Sequence, residues 1–217
     1  MAYQHILFDL DGTLTDSKEG IFKGFLYALS EFGIAVPDLK QLEAVIGPPI
    51  DQSFRQFFGL SEEDTVAAVK IYREYYKETG LYENEVYPGI EELLKKLKKE
   101  EKNLLVATSK PEPFARRILE HFDLAKYFTF IGGSGLKGER NSKTEVIRYA
   151  LKEAGITDTA DVVMVGDRKH DMIGAQETNL SSIGVLYGYG DSKELLDAGA
   201  GQLAKDTDEL FDLLVKL

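Results

Sequence analysis

The sequence predicts an α/β fold in which a doubly wound, mainly parallel sheet carries an α-helical insertion after its first strand. Three observations lead there. Short apolar runs recur along the chain, each stopping at or near a polar residue or a glycine; amphipathic helical patterns alternate with them; and one long early stretch has helical periodicity with no convincing strand.

Ile6, Leu7 and Phe8 form the first run, which stops at Asp9 and has the composition of a strand buried on both faces. Leu104 to Ala107 ends at Thr108, Val162 to Val165 ends at Gly166 and Asp167, and Ile183 to Leu186 is followed by Gly188. Phe128 to Ile131, closed by Gly132 and Gly133, is a fifth candidate. Ile90, Leu93, Leu94 and Leu97 make a helical stripe, as do Ile147, Ala150, Leu151 and Ala154. Pro88-Gly89 punctuates the chain before the first of these helices, and Ser142 with Glu145 has capping-box spacing before the second.

The insertion is expected over residues 17–85, with residues 1–16 and 86–217 forming the catalytic core. Its apolar stripes are Phe22, Phe25, Leu26 and Leu29, then Ile50, Phe54 and Phe57, then Val69, Tyr72 and Tyr76. Lying directly after the first strand, such a segment is placed in sequence to close over a site at the strand ends, where lids exclude water. Tyr72, Tyr75 and Tyr76 read as packing of these helices and not as a stacking platform for a base.

Composition removes several classes of function. The 217 residues contain no cysteine, which excludes a disulfide framework, a thiol nucleophile and a cysteine zinc site. A net charge of -11, from 26 basic and 37 acidic residues, argues against a nucleic acid polymer as partner. No stretch approaches the roughly 18 apolar residues of a membrane span. No export segment is evident near Met1, so a cytoplasmic protein with no membrane partner is expected. A monomer is compatible with the sequence.

Four polar groups stand at or just after the ends of separate strands, where this architecture gathers distant residues. The first is Asp9-Leu10-Asp11-Gly12-Thr13. Strand side chains repeat with period two, so Asp9 and Asp11 can point the same way. Two carboxylates so close require a cation between them or a proton on one. Either outcome suits phosphoryl transfer, with Asp9 as nucleophile beside Mg²⁺ and Asp11 as proton donor to the leaving alkoxide. Gly12 lets the backbone turn sharply and approach a phosphate.

Thr108-Ser109 is the second group, supplying hydroxyls for phosphate oxygens, with Pro111 and Pro113 suited to the first turn of a following helix. Lys143 is the third, a cation to neutralise the nucleophile and the phosphoryl oxygens; Lys137 and Arg140 lie close to it in sequence. The fourth is Gly166-Asp167-Arg168-Lys169-His170-Asp171, with Asp167 placed as a metal ligand and Asp171 placed to hold a metal water or to orient Lys143. His5, His121 and His170 show no metal-ligand spacing. Lys18 and Arg55 are read as solvated charges of the insertion.

Together these motifs resemble the haloacid dehalogenase superfamily of phosphohydrolases over nearly the whole chain. The resemblance implies a Rossmann-like core with an inserted helical cap. By it Asp9 is nucleophile and metal ligand, and Asp11 is acid/base and a metal ligand through its backbone carbonyl. Thr108, Ser109, Lys143 and Gly12 bind phosphate, Asp167 completes the Mg²⁺ site, and Asp171 supports it. Ile46-Gly47-Pro48-Pro49 and Gly166-Asp167-Arg168 bring it closest to the phosphoglycolate phosphatase-like and bacterial 5'-nucleotidase-like branch. There a loop matching Gly47, Pro48 and Pro49 faces the active site and is a possible specificity loop. Thr144 departs from the proline that many relatives carry after the motif lysine.

The implied reaction is hydrolysis of a small soluble phosphate monoester, phosphoglycolate-like or a 5'-nucleotide, through an aspartyl-phosphate. Asp11 speaks against a dehalogenase, which has no alkoxide to protonate. The length and the insertion speak against a phosphorylated receiver domain. A mutase of the β-phosphoglucomutase type shares all four motifs and stays open, as does a non-catalytic phosphate-binding member of the fold.

Overall fold

A computed structural model of the protein describes residues 3–36, 38–136 and 138–215. The chain divides into two compact units, one comprising the chain up to Thr15 and from Val86 onward, the other Asp16–Glu85.

The strands are β1 (His5–Phe8), β2 (Thr15–Asp16), β3 (Glu85–Val86), β4 (Asn103–Pro111), β5 (Phe130–Ser134), β6 (Val162–Gly166), β7 (Ser181–Val185) and β8 (Gln202–Ala204). Six of them form one sheet in the order β5-β4-β1-β6-β7-β8, with every pairing parallel. β2 and β3 pair in a separate two-stranded sheet. In the large sheet the chain starts in the middle and winds outward on both sides, so β1 is flanked by β4 and β6. That reversal is the topological switch point, where open α/β sheets bind ligands beyond the strand carboxyl ends.

Ile6, Leu7 and Phe8 are each fully buried, as a central parallel strand requires. Helices α4 (Ile90–Lys99), α5 (Glu112–His121), α6 (Lys143–Glu153), α7 (Lys169–Glu177), α8 (Ser192–Asp197) and α9 (Thr207–Val215) belong to the same unit. Val146, Ile147 and Ala150 of α6 and Ala175 of α7 pack with Leu7, Leu105 and Met164 into one core cluster. α4 buries Ile90, Leu93, Leu94 and Leu97 on one stripe. It carries Glu91 and Glu92 in its first turn and Lys96, Lys98 and Lys99 in its last, complementing the helix dipole.

Three strands extend differently from the sequence expectation, β7 among them, which runs Ser181–Val185 in place of Ile183 to Leu186. β4 runs past Thr108 to Pro111, because a register irregularity between Thr108 and Pro111 lets it resume pairing with β5 at Ser134. β5 includes Gly132 and Gly133, which sequence reading took as its stop. A Cβ on Gly133 would lie 2.5 Å from the Lys110 carbonyl oxygen, so this glycine marks a close approach of two backbones inside the sheet.

The Asp16–Glu85 unit contains α1 (Lys18–Glu31), α2 (Ile50–Phe58) and α3 (Glu62–Tyr75), with a short 3₁₀ helix at Leu39–Val45 and a π turn at Tyr76–Gly80. Phe25, Phe54, Tyr72 and Tyr76 are buried, and Tyr72 stacks on Tyr76 with centroids 5.4 Å apart. Phe57 is exposed, against expectation. Phe58 takes its place against Phe54 and Phe25, since the i+4 position lies nearer the Phe54 face than i+3. Tyr75 donates to Glu83, Lys18 pairs with Glu43, and Arg55 pairs with Asp51.

Candidate active site

The register of β1 determines which residues meet. Phe8 lies beside Val106 of β4 and Val165 of β6, and the next residue, Asp9, donates its amide to the Val165 carbonyl. Asp9 therefore emerges at the carboxyl end of the central strand, with Thr108 of β4 on one side and Asp167, the residue after β6, on the other. Asp9 is 7% exposed and its carboxylate Oδ1 accepts from the Leu10 amide at 2.7 Å.

Lys143 opens α6, held there by a complete capping box in which Ser142 and Glu145 each accept from the other's backbone amide. Thr144, the departure from the family pattern, follows as the second residue of the helix and donates its hydroxyl to Glu177 of α7. The Lys143 ammonium lies 2.8 Å from Asp9 Oδ1 and 2.8 Å from Asp171 Oδ1, and donates to the Ala107 carbonyl at 3.1 Å. Arg140 instead donates to the Gly133 carbonyl and covers the Tyr149 ring, and Lys137 lies outside the described residues.

Asp167 is fully buried. Its Oδ1 accepts from the Thr13 hydroxyl at 3.2 Å and its Oδ2 from the Tyr189 amide at 2.8 Å. Asp171, four residues on, also has no exposure; it accepts from the Arg168 amide and faces the Lys143 ammonium. Thr108 Oγ1 accepts from the Lys110 amide, and the Ser109 carbonyl accepts from Ser134 Oγ. Asp11 turns to Lys110, with Oδ1 2.8 Å from its ammonium.

Gly12 has φ +83°, and a Cβ there would lie 2.2 Å from Asp167 Oδ2. Its amide donates to the Thr15 carbonyl, and its lack of a side chain allows the turn and leaves space for Asp167. Gly47, Pro48 and Pro49 form the turn between the 3₁₀ helix and α2 in the other unit, with Gly47 at φ +106° and Pro49 as the N-cap of α2.

Charge is crowded at the strand ends. Asp9, Asp167 and Asp171 can each bring one carboxylate oxygen within 4.8 Å of the others, and all three are buried. Burial, with the charges of Asp171 and Asp9, holds the Asp167 carboxyl well above the usual carboxylate range. Burial also raises Asp9, against the opposing pull of Lys143. For Lys143, burial works to lower its pKa, but the charges of Asp171 and Asp9 override that and raise it, so it stays an ammonium. Three carboxylates sharing this space around one ammonium leave a deficit of positive charge. An all-oxygen carboxylate donor set of that kind fits a hard divalent cation.

Sequence reading missed four contributors. Lys110, buried at 8% exposure, stands immediately after Thr108-Ser109 near the end of the largely buried β4. Thr13 reaches Asp167, and Tyr187 donates its hydroxyl to the Thr13 carbonyl at 3.1 Å. Burial and the nearby Asp167 charge raise the Tyr187 pKa, which keeps that donor proton in place. Tyr189 supplies the amide to Asp167. The available signal was Tyr187-Gly188-Tyr189-Gly190, an alternation of glycine and tyrosine just beyond β7, at the ligand-binding end of the sheet.

Residues 6–185 match the family model described as haloacid dehalogenase-like hydrolase. The chain is 48% identical over 195 residues to a 5'-nucleotidase of Pseudomonas aeruginosa, covering 90% of this chain and 88% of that one. It is 40% identical over 188 residues to the tyrosine-protein kinase PtkA of Mycobacterium tuberculosis, covering 86% of this chain and 63% of that relative's length. A solved structure from Clostridium acetobutylicum, described as a predicted phosphatase, superposes with TM-score 0.96 at 48% identity over 100% of both chains.

Proposed function

Because the chain belongs to the haloacid dehalogenase-like hydrolases and is a phosphatase of that family, we propose that it hydrolyses a small phosphate monoester, a 5'-nucleotide or a phosphoglycolate-like ester, through an aspartyl-phosphate on Asp9. The observation that carries this reading is the buried Asp9 carboxylate at the end of the central strand, 2.8 Å from Lys143 and grouped with Asp167 and Asp171.

In this reading the Asp9 carboxylate attacks phosphorus as the bond to the ester oxygen breaks. Asp11 gives a proton to the departing alkoxide, then takes one from the water that attacks the phosphoaspartate and restores Asp9. Lys143 offsets charge on Asp9 and on the phosphoryl oxygens. The Thr108 hydroxyl would donate to a phosphoryl oxygen, its own oxygen accepting from the Lys110 amide. Asp9 and Asp167, with the Asp11 backbone carbonyl, would hold Mg²⁺, which when bound supplies electrostatic stabilisation of the phosphoryl charge. Gly47, Pro48 and Pro49 are proposed to contribute to substrate choice from a cap formed by the helical unit.

The test is a screen of 5'-nucleotides and phosphoglycolate with Mg²⁺, run beside Asp9→Asn. That variant keeps the side-chain volume and removes the nucleophilic anion, and turnover is expected to fall by roughly three orders of magnitude or more. Unchanged turnover rules out the mechanism. The 40% identity to a protein named as a tyrosine kinase favours a second reading, in which the phosphoryl group passes to an acceptor hydroxyl instead of water. Inorganic phosphate released mole for mole with ester consumed selects hydrolysis.

A further inference from the structure

Each of the two carboxylates of the Asp9-x-Asp11 motif has its own buried lysine. Asp9 faces Lys143, and Asp11 Oδ1 lies 2.8 Å from Lys110, whose side chain is 5% exposed against 15% for Asp11. We propose that Lys110 is a positioning residue for Asp11, engaging Oδ1 so that the carboxyl presents a proton on Oδ2 to the departing ester oxygen and later takes one there from water, and keeping the carboxyl out of the metal-binding group. The proposal rests on the phosphatase reading above and deepens it.

The first support is backbone geometry. Lys110 sits within the register irregularity of β4 between Thr108 and Pro111, and irregularities of this kind beside sites re-aim a side chain. In a regular strand Thr108 and Lys110 would share a face through the period of two, while Ser109 pointed away. Here the segment is tied locally: the Lys110 amide donates to Thr108 Oγ1 at 3.2 Å, and the Ser109 carbonyl accepts from Ser134 at 2.8 Å. The Lys110 carbonyl lies so close to Gly133 that a Cβ there would come within 2.5 Å of it. The backbone that carries the ammonium is therefore fixed by its neighbours in β5.

The second support is energetic. A buried ion pair does little for net stability, because desolvation of both ions offsets their attraction. Its strength lies in fixing geometry. Asp11 is separated from Asp9 by one residue, yet the acidic group able to share a cation consists of Asp9, Asp167 and Asp171 among the described residues. With Oδ1 engaged by Lys110, Asp11 is held apart from that group, and the two carboxylates of one motif take different roles.

The test compares an alkyl phosphate, whose alkoxide needs a proton to leave, with an activated aryl phosphate, whose phenolate does not. Lys110→Met is made in the wild-type and in the Asp11→Asn background, and Lys110→Arg in the wild type. Proton donation contributes roughly 10²–10⁴-fold to such steps. Lys110→Met is accordingly expected to lower the first-turnover rate of leaving-group release from the alkyl ester at least about 10-fold and from the aryl ester less than about 3-fold, a reading taken before the water step that both esters share. In Asp11→Asn the same change should cost under about 2-fold, and Lys110→Arg should recover most of the alkyl activity. Should Lys110→Met lack a cooperative melt, Lys110→Gln in both backgrounds is read by the same criteria. Equal losses on both esters, or losses that multiply with Asp11→Asn, overturn the role of Lys110 while leaving the phosphatase reading intact. A wild type inactive on both esters with Mg²⁺ overturns the phosphatase reading itself.

Discussion

The Lys143 ammonium lies 2.8 Å from Asp9 Oδ1, joining the first turn of α6 to the carboxyl end of β1. The same ammonium meets Asp171, so one cation stands between two buried anions with the Ala107 carbonyl as a further acceptor. Breaking this arrangement leaves both carboxylates without their partner.

Lys143→Met should therefore destabilise the metal-free protein by about 3–5 kcal/mol, the usual cost of stripping one member from a buried ion pair. Urea denaturation in EDTA measures it. Added Mg²⁺ should return part of the loss by supplying positive charge nearby. A variant as stable as the wild type in EDTA would contradict the electrostatics described for this site.

Mg²⁺ should raise the melting temperature of the wild type, and EDTA should remove both that rise and turnover. A ligand at 100 times its Kd stabilises the folded state by about 2.7 kcal/mol. Asp167→Asn keeps the acceptor for the Tyr189 amide but loses the buried anion. Its Mg²⁺-induced shift should largely vanish in differential scanning calorimetry. A shift equal to that of the wild type would remove Asp167 from the metal site.

Gly188→Ala probes the loop beyond β7. The added Cβ would lie 2.2 Å from the Gly12 carbonyl oxygen and 2.4 Å from Asp167 Cβ, so one of the two backbones has to move. Misplacement by about 1 Å at such a centre costs on the order of 10²-fold in rate. Circular dichroism should show the fold retained while kcat falls by about that factor. Wild-type kcat would mean that the loop moves without disturbing Asp167.

Glu145 sets a pH-dependent contribution to the helix that carries Lys143. Acceptance from the Ser142 backbone amide, then from its hydroxyl, holds the Glu145 carboxyl below its ordinary value of 4.5. A depressed folded pKa means that the stabilisation is present above the ordinary value and is lost as pH falls through the depressed one. Glu145→Ala should lower the melting temperature more at pH 7 than at pH 3. A deficit independent of pH would assign the effect to helix propensity alone.

The strands and helices of the larger unit were legible because their signals are local. Ile6, Leu7 and Phe8 are apolar without alternation, as burial on both faces demands, and all three are fully buried. Ser142 and Glu145 form the capping box that their spacing predicts. The errors fell where a tertiary contact decided the matter. Gly132 and Gly133 read as a strand end, yet they belong to β5 because a neighbouring backbone approaches too closely for a side chain. Phe57 and Phe58 are equivalent by composition, and only the facing aromatic residues select Phe58.

By itself the sequence determined that carboxylates stand at the ends of buried strands, since alternating apolar runs and helices can pack only as a sheet whose reactive ends gather on one edge. It set Lys143 against the nucleophile Asp9 but named no cation for Asp11. The pairing of Asp11 with Lys110 depends on the register of β1 against β4 and on the irregularity in β4. Pairing at about 3 Å is settled by shifts smaller than one residue, and a residue pattern resolves nothing finer than one residue.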